Sequence, residues 1–373
     1  MRLALFTFFI FVALIPFNGF AADVLSTAPL GWTQLANTKI RPVCPVGSFG
    51  DCGGVTQAWN SAVFDSKRNR LIVWGGGHQD YFGNEIYALN LSATPITMTR
   101  INNPSTAAIS GGQTADNPPQ PGSRHTYDHI VYMSHIDSMF VFGGAISPTG
   151  FMQNDTWTFD FLNLRWNKKN PGVTKPEANY GRVTVYNPMT QKVYIHDQFS
   201  LFSYSFETDR YTILSNDPPP GQDMTGVFDS KRQLFLSIGN GQVTAYDVSA
   251  TSNYVKQVWN TTGGASIVNA TNPGVAYDPV SDRIVAWAGG NTVYTLDPGA
   301  TNKVWNAVTY PNGPGNAIAA GTFKRWAYSA SSNAFVIVNS VDSNAYAFKL
   351  TAGAGTPLPP PVQLFAPKNL RIN

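Results

Sequence analysis

One pattern of apolar and polar positions occurs six times along the chain. Each copy reads aromatic residue, tight polar turn, apolar run, often Gly-Gly, and then a second short aromatic segment. The aromatic residues that open the copies are Phe64, Tyr132, Tyr186, Phe228, Tyr277 and Tyr328. They lie about 40–70 residues apart, a spacing typical of propeller blades and solenoid repeats.

Each copy predicts four short strands, named a to d in chain order. In the first copy these are residues 59–64, 70–74, 85–91 and 97–101. Their residues are mainly β-branched and aromatic, as strands prefer. The a–b turns, such as DSKRN at 65–69 and DPVSD at 278–282, are rich in Asp, Ser, Asn and Pro, which favour tight reversals.

The two ends of the repeat region predict how the ring closes. The last copy ends at residues 348–350 without a d strand, and GWTQL at 31–35 resembles the d strands of the other copies. We expect this N-terminal segment to complete the last blade, which protects the sheet edges. The chain is therefore predicted to be all-β, with one propeller of six four-stranded blades over residues 23–350. A seventh blade stays open, because residues 102–123 leave room for another strand pair.

The chain termini read differently from the repeats. Residues 1–22 combine a charged start, a short apolar run and small residues at Ala21 and Ala22, the pattern of a cleaved signal peptide. This predicts a secreted or periplasmic protein, and no other segment is apolar enough for a membrane span in the mature chain. Residues 351–373 are rich in Pro and Gly and read as a tail or surface strap.

Charge and cysteine content narrow the possible partners. The formal net charge is +3 and charged residues make up 13% of the chain, which does not favour nucleic acid. Cys44 and Cys52 are the two cysteines, and in an exported protein such a close pair predicts a disulfide; two free thiols are the alternative. No cofactor and no metal are expected, and the chain is expected to be a monomer.

The connections between blades indicate the functional face. The d–a connections are long whereas the a–b turns are short, and long loops on a rigid scaffold concentrate binding and catalysis. The candidate catalytic residues on that face are His78, His125, Tyr180 and Arg182. The candidate substrate-binding residues are Asp80, Tyr81, Arg124, Tyr127, His196, Arg325 and Trp326. His129 and His135 are interpreted as structural or solvated.

These residue types together favour an acidic polysaccharide or another glycan as partner. Arginine forks suit carboxylate or sulfate, and aromatic walls suit sugar rings. A His and a Tyr in one cleft can exchange protons with a substrate. Together they suit β-elimination on a uronic-acid polymer, in which arginine neutralises the carboxylate and so acidifies the adjacent C–H.

The glycine pairs at 75–76, 143–144 and 289–290 resemble kelch repeats of galactose oxidase-like propellers, although the third and sixth copies lack the pair. In its His, Tyr and Arg set the chain also resembles the ulvan lyases, a group of secreted propeller enzymes. That resemblance implies a polysaccharide lyase in which His125 or Tyr180 acts as base or acid. Arg182 would be the neutraliser, aided by Arg124.

Two alternatives to a lyase stay open from the residues alone. One is a non-enzymatic propeller that binds a glycan or a protein through the same arginines and aromatics. The other is a zinc site built from His78, His125 and a third ligand, for which no spacing signature exists. A copper radical oxidase fits less well, because it needs a Tyr–Cys crosslink and both cysteines here lie in one loop, where they more plausibly pair with each other. A sialidase fits less well, because its typical Ser-x-Asp-x-Gly-x-Thr-Trp turns are missing from this sequence.

Overall fold

Six antiparallel sheets form a six-bladed propeller in the computed structural model, which describes residues 24–217 and 221–356. The predicted signal peptide at 1–22 and residues 357–373 of the predicted tail lie outside the described residues. Each of the six sequence repeats supplies strands a and b of one blade, so the prediction of six four-stranded blades is confirmed.

The strands of each blade are as follows. Blades 1 and 2 contain Ala62–Asp65, Arg70–Trp74, Ile86–Asn90 and Thr97–Arg100, then Arg124–His125 with Ile130–Met133, Ser138–Ile146, Met152–Asp160 and Arg165–Lys169. Blades 3 and 4 contain Val183–Asn187, Lys192–His196, Leu201–Ser205 and Arg210–Ser215, then Met224–Asp229, Leu234–Gly239, Gln242–Asp247 and Lys256–Val258. Blades 5 and 6 contain Gly274–Asp278, Arg283–Trp287, Thr292–Leu296 and Lys303–Thr309, then Trp326–Ser329, Ala334–Ile337, Tyr346–Lys349 and Gly31–Gln34.

The N-terminal strand closes the ring as predicted. Gly31–Gln34 pairs antiparallel with Tyr346–Lys349, and Trp32 lies opposite Phe348 in this register. The two rings pack with centroids 4.8 Å apart. Residues from the two ends of the chain therefore share one sheet, which removes a free edge from the propeller.

The remaining elements are short and lie in the connections. The helices are Gly54–Gln57 and Ala265–Val268, and the 3-10 helices are Arg41–Val43, Ser134–Ile136 and Phe323–Arg325. Thr261–Thr262 adds to the edge of blade 5, and Ile109–Ser110 pairs with Gln113–Thr114. That two-stranded hairpin occupies the long loop between blades 1 and 2, where a seventh blade had been left open. Across the described ranges, no helix has both the length and the apolar character needed to cross a membrane.

Apolar side chains fill the spaces between neighbouring blades. Between blades 1 and 2, for example, Trp74 packs in one cluster with Trp157 and Trp166, and the rings of Trp74 and Trp166 are 4.8 Å apart. Alternate residues of a strand face opposite sides of its blade, so each blade contributes to two such clusters. This packing makes the ring a rigid support for the loops at its two faces.

A charged side chain closes the centre of the ring. Nζ of Lys324, from blade 6, donates to the carbonyl oxygen of Thr184 in blade 3 at 2.6 Å and pairs with the Asp128 carboxylate of blade 2. The other Asp128 oxygen accepts the backbone N–H of Gly226 in blade 4 at 2.9 Å. On the a–b turn side of this tie, the six repeat aromatics line a funnel of about 410 Å³.

The predicted disulfide is present. Cys44 and Cys52 are bonded within the long connection that leads into blade 1. This loop rests on the segment after strand b of the same blade, since the Phe82 N–H donates to the Phe49 carbonyl at 2.6 Å and Gly50 bridges to Tyr81. The bond therefore stiffens the face that carries the long loops.

Candidate functional site

A cavity of about 310 Å³ opens on the face of the long d–a connections. Its wall is built by all six blades, chiefly by residues just before or at the start of strand a. The lining residues are Trp59, His78, His125, Tyr127, Tyr180, Gly181, Arg182, Gln222, Asp223, Met224, Asn272 and Phe323. The face predicted from loop lengths is therefore the face that carries this cavity.

Six of these lining residues share an unusual backbone conformation. One residue from each blade has a positive φ between 44° and 84°: Trp59, Tyr127, Gly181, Asp223, Asn272 and Phe323. A left-handed backbone costs a residue with a Cβ roughly 1–2 kcal/mol. Five of the six positions hold such residues, so each of these five blades brings a left-handed residue to the same place on the cavity rim, and other such residues occur in turns elsewhere in the ring.

Two histidines lie together on one side of the cavity. The rings of His78 and His125 have centroids 4.6 Å apart, and the ring of Trp59 lies 5.3 Å from that of His125. The Asp80 carboxylate is 3.4 Å from Nε2 of His125, and the Tyr127 hydroxyl is 3.5 Å from its Nδ1. Burial lowers the pKa of His125 to about 4 against the opposing effect of Asp80. His125 is therefore uncharged at neutral pH and has a lone pair available to accept a proton.

Arg182 is a buried cation whose donors are free. It lines the cavity at 1% exposure, and none of its three guanidinium nitrogens has a hydrogen-bond partner among the described residues. Its guanidinium carbon lies 4.8 Å from the centroid of the Phe142 ring. Burial lowers the pKa of Arg182 to about 10, and the charges of Asp197, Tyr211 and Glu177 oppose that shift. A buried guanidinium without acceptors is costly, which points to an anion that binds there.

Two other buried arginines show the contrast. Arg124 pairs with Asp155 at 2.8 Å and donates to the carbonyls of Gly112, Gly122 and Gly143. Arg325 donates to the carbonyls of Asn60, Val338, Asn339 and Gly321. Their donors are used by the scaffold, so these two arginines hold loops in place, whereas the Arg182 donors have no partner among the described residues.

Aromatic rings connect the histidine side of the cavity to Arg182. The ring of Tyr127 lies 5.3 Å from that of His129 and 6.2 Å from that of Tyr180. Burial raises the pKa of Tyr127 to about 12, so its phenol stays protonated. His129 is fully buried beside this row, and neither ring nitrogen has a hydrogen-bond partner in the part of the chain that the structure describes. Burial, followed by the charge of Arg182, lowers its pKa well below the usual value.

All four candidate catalytic residues, together with Tyr127, line the one cavity. Asp80 reaches it through its contact with His125. Three other candidates lie in the interior instead. Tyr81 donates to Glu85 at 2.7 Å, and Nε2 of His196 lies 2.9 Å from the Tyr246 hydroxyl. Trp326 donates to the Val285 carbonyl at 3.1 Å and faces the opposite funnel. With Arg124 and Arg325, these three do not line the cavity.

Seven lining residues were not among the sequence candidates: Gly181, Asp223, Met224 and Asn272 of blades 3 to 5, and a further three, Trp59, Gln222 and Phe323. Trp59 was placed inside strand a, while Gln222 and Phe323 were passed over as loop residues. The structure starts strand a of blade 1 at Ala62, and Trp59 instead turns the chain towards the cavity. The signal that identifies all three is position, since each lies within a few residues before strand a of its blade.

The site shows no cluster suited to a metal. Within residues 24–217 and 221–356, no group of three or more His, Cys, Asp or Glu side chains has an arrangement that would hold an ion. His78 and His125 therefore have no third protein ligand of these types in the described part of the chain.

Comparison with known proteins identifies the fold and nothing finer. The backbone is similar to a solved structure titled "Structure of YjhT", with a TM-score of 0.52 over 81% of this chain and 95% of that chain. The sequences are 13% identical, so the likeness concerns the propeller alone. Neither a protein-family description nor a curated protein sequence matches this chain.

Proposed function

We propose that this propeller binds an acidic polysaccharide in the cavity and cleaves it by β-elimination at a uronic-acid unit. The observation that carries the proposal is Arg182, whose three guanidinium nitrogens lack partners in the cavity wall. A planar carboxylate matches that fork of donors. The His125 side chain in the same wall supplies an uncharged base, which a simple anion-binding site does not need.

The reaction would proceed as one proton-transfer and bond-breaking sequence. Arg182 binds the uronate carboxylate and stabilises the charge that develops when the adjacent C–H loses its proton. His125 accepts that proton, the C–O bond on the neighbouring carbon breaks, and a C=C bond forms between the two carbons. Tyr180 donates its phenolic proton to the departing oxygen. Nδ1–H of the neutral His125 ring donates to the Tyr127 hydroxyl oxygen, which orients the ring and leaves its Nε2 lone pair for the C–H proton.

Binding without catalysis is the second candidate function. Trp59 and Tyr180 are 43% and 46% exposed at the mouth of the cavity, and exposed rings of this kind stack on sugars. The same surface would serve a non-enzymatic glycan-binding propeller. The resemblance of the repeats to kelch rings agrees with either function, and the resemblance to ulvan lyases favours the enzyme.

The proposed setting is outside the cytoplasm, with the chain acting as a monomer. The Cys44–Cys52 bond is of the type that persists in oxidising compartments. The signal-peptide pattern at the start of the sequence supports export.

Incubation with a panel of uronic-acid polysaccharides tests the proposal through the ultraviolet absorbance of the unsaturated product. Activity should fall strongly in His125→Ala, Tyr180→Phe and Arg182→Ala. His135→Ala is the matched control, because His135 lies on the opposite face in an a–b turn and contacts Glu207. No product on any polymer, together with retained glycan binding, would reject the lyase and leave the binding function.

A further inference from the structure

The rim of the cavity has two chemically different sides. Blades 6, 1 and 2 contribute the aromatic rings of Phe323, Trp59 and Tyr127. Blades 4 and 5 contribute polar side chains instead: Gln222, Asp223 and Asn272. Arg182 lies on blade 3, between the two sides. A sugar ring with its apolar face on the aromatics therefore turns its hydroxyl-bearing edge towards blades 4 and 5.

Asp223 is held in place on the polar side. Its φ is +64°, and its carbonyl oxygen accepts the backbone N–H of Asn272 at 3.0 Å. Gly239 packs so closely that a Cβ there would lie 2.4 Å from the same carbonyl oxygen. Asp223 is exposed and lines the cavity, and its carboxylate forms no ion pair or hydrogen bond with any other described residue. The backbone is thus fixed while the charged group is left available.

Two of the described lining residues carry opposite charges, and the Asp80 carboxylate lies beside the cavity against His125. Arg182 is the one Lys or Arg among the described residues that line it, and Asp223 is the one Asp or Glu. A ligand carboxylate on Arg182 uses the positive charge. A sulfate ester on the opposite edge would face the Asp223 carboxylate, and the described lining residues include no second Lys or Arg to pair with it. Like charges at close range repel. A free hydroxyl there donates a charge-assisted hydrogen bond to the same carboxylate.

We infer that Asp223 selects against sulfate, so that the sugar unit in the cavity carries one carboxylate and free hydroxyl groups. The inference rests on the proposed binding of an acidic polysaccharide and narrows its substrate to uronic-acid polymers that are unsulfated at that unit. Asp223 acts in binding and specificity and takes no part in proton transfer.

Matched polymers test this selectivity. Polyglucuronate, alginate and unsulfated chondroitin are each compared with a chemically sulfated derivative of the same length, by calorimetric affinity and by release of unsaturated product. The wild-type protein should prefer the unsulfated member of a pair by about tenfold or more, as expected for one uncompensated like-charge contact. Asp223→Asn should reduce that ratio to about threefold or less, because the amide removes the charge and keeps the shape.

Asp297→Asn is the control for net charge. Asp297 lies in a c–d connection on the opposite face and pairs with Arg283 at 3.2 Å, so its loss should leave the ratio unchanged. A preference for the sulfated polymers, or an unchanged ratio in Asp223→Asn, would overturn the inference. Selective binding without unsaturated product would reject only the lyase. Product without selectivity would reject only the role of Asp223, and no binding to any polymer would reject both.

Discussion

Nζ of Lys324 lies 2.9 Å from Oδ1 of Asp128, so a buried ion pair ties the sixth blade to the second near the ring axis. Each of the two residues directly follows a residue that lines the cavity: Lys324 comes after Phe323, and Asp128 comes after Tyr127. The pair therefore holds two of the left-handed rim residues at a fixed separation. Its chemistry is structural, but its position makes the shape of the cavity depend on it.

Removing one partner of this pair should strongly destabilise the ring. Lys324→Met leaves the buried Asp128 carboxylate without its cation, and such changes typically cost about 3–5 kcal/mol. Lys67→Met is the control, because Lys67 also pairs with an Asp at 2.8 Å but is about half exposed, where a pair contributes less than about 1 kcal/mol. Urea unfolding gives both values. Equal losses in the two variants would contradict a special role for the axial pair.

Replacing Arg182 should raise the stability of the fold and weaken ligand binding. In Arg182→Met the unpartnered buried charge is gone, so the free energy of unfolding should rise by about 1–3 kcal/mol, while affinity for a uronate polymer falls by about 10²-fold or more. Arg124→Met is the matched comparison, since Arg124 is equally buried but fully partnered, and it should destabilise the fold instead. Thermal unfolding and calorimetry measure the two effects. If Arg182→Met is also destabilising, the guanidinium has scaffold partners after all.

His125 should set the acid limit of activity well below the usual histidine range. Its pKa in the fold is about 4, so the base stays uncharged and kcat/KM should hold until the pH approaches that value. A pH profile of product formation checks this, with His135→Ala as the control variant. A decline centred near pH 6.5 would show that a different group is the base.

The same lowered pKa has a consequence for stability. The unfolded chain binds the His125 proton near pH 6.5 and the folded chain only near pH 4, so stability from this residue is full at higher pH and is lost as the pH falls through that window. The difference in free energy of unfolding between wild type and His125→Gln should shrink by about 1–3 kcal/mol from pH 7.5 to 4.5. A pH-independent difference would contradict the burial of a neutral ring.

The left-handed rim predicts an ordering between two substitutions of one residue. Trp59 has a φ of +51°, a conformation that glycine adopts without cost and alanine does not. Trp59→Gly should therefore be more stable than Trp59→Ala by about 1 kcal/mol, and both should bind glycan more weakly than wild type through loss of the ring. Chemical unfolding and glycan affinity measure the two effects. Equal stability of the two variants would mean that the backbone has relaxed out of the left-handed region.

The local sequence pattern determined the architecture, because every blade repeats the same order of aromatic, turn and apolar residues. Strand b of blade 1 was predicted at 70–74 and is Arg70–Trp74. The N-terminal closing strand was predicted at 31–35 and is Gly31–Gln34. Alternation, aromatic anchors and polar turns act over a few residues, so they can be read from the chain directly.

The sequence also indicated the face and part of the chemistry. The long d–a loops marked the side on which His78, His125, Tyr180 and Arg182 meet. The sequence did not show which of the three arginines Arg124, Arg182 and Arg325 lacks hydrogen-bond partners among the described residues, because nothing in the neighbouring sequence distinguishes them. That distinction depends on carbonyls from distant parts of the chain, which satisfy two of these residues and leave the third.

The sequence by itself therefore determined the number of blades, their closure and the face that carries the long loops. Only the tertiary structure decided that Arg182 has no hydrogen-bond partner among the described residues, that His125 is buried beside His78, and that Trp59 and Asp223 turn towards the same cavity. The physical reason is the distance along the chain between the residues that interact. Strands and turns arise from neighbouring residues, whereas burial, charge balance and hydrogen-bond satisfaction arise from six blades that meet only when the ring is closed.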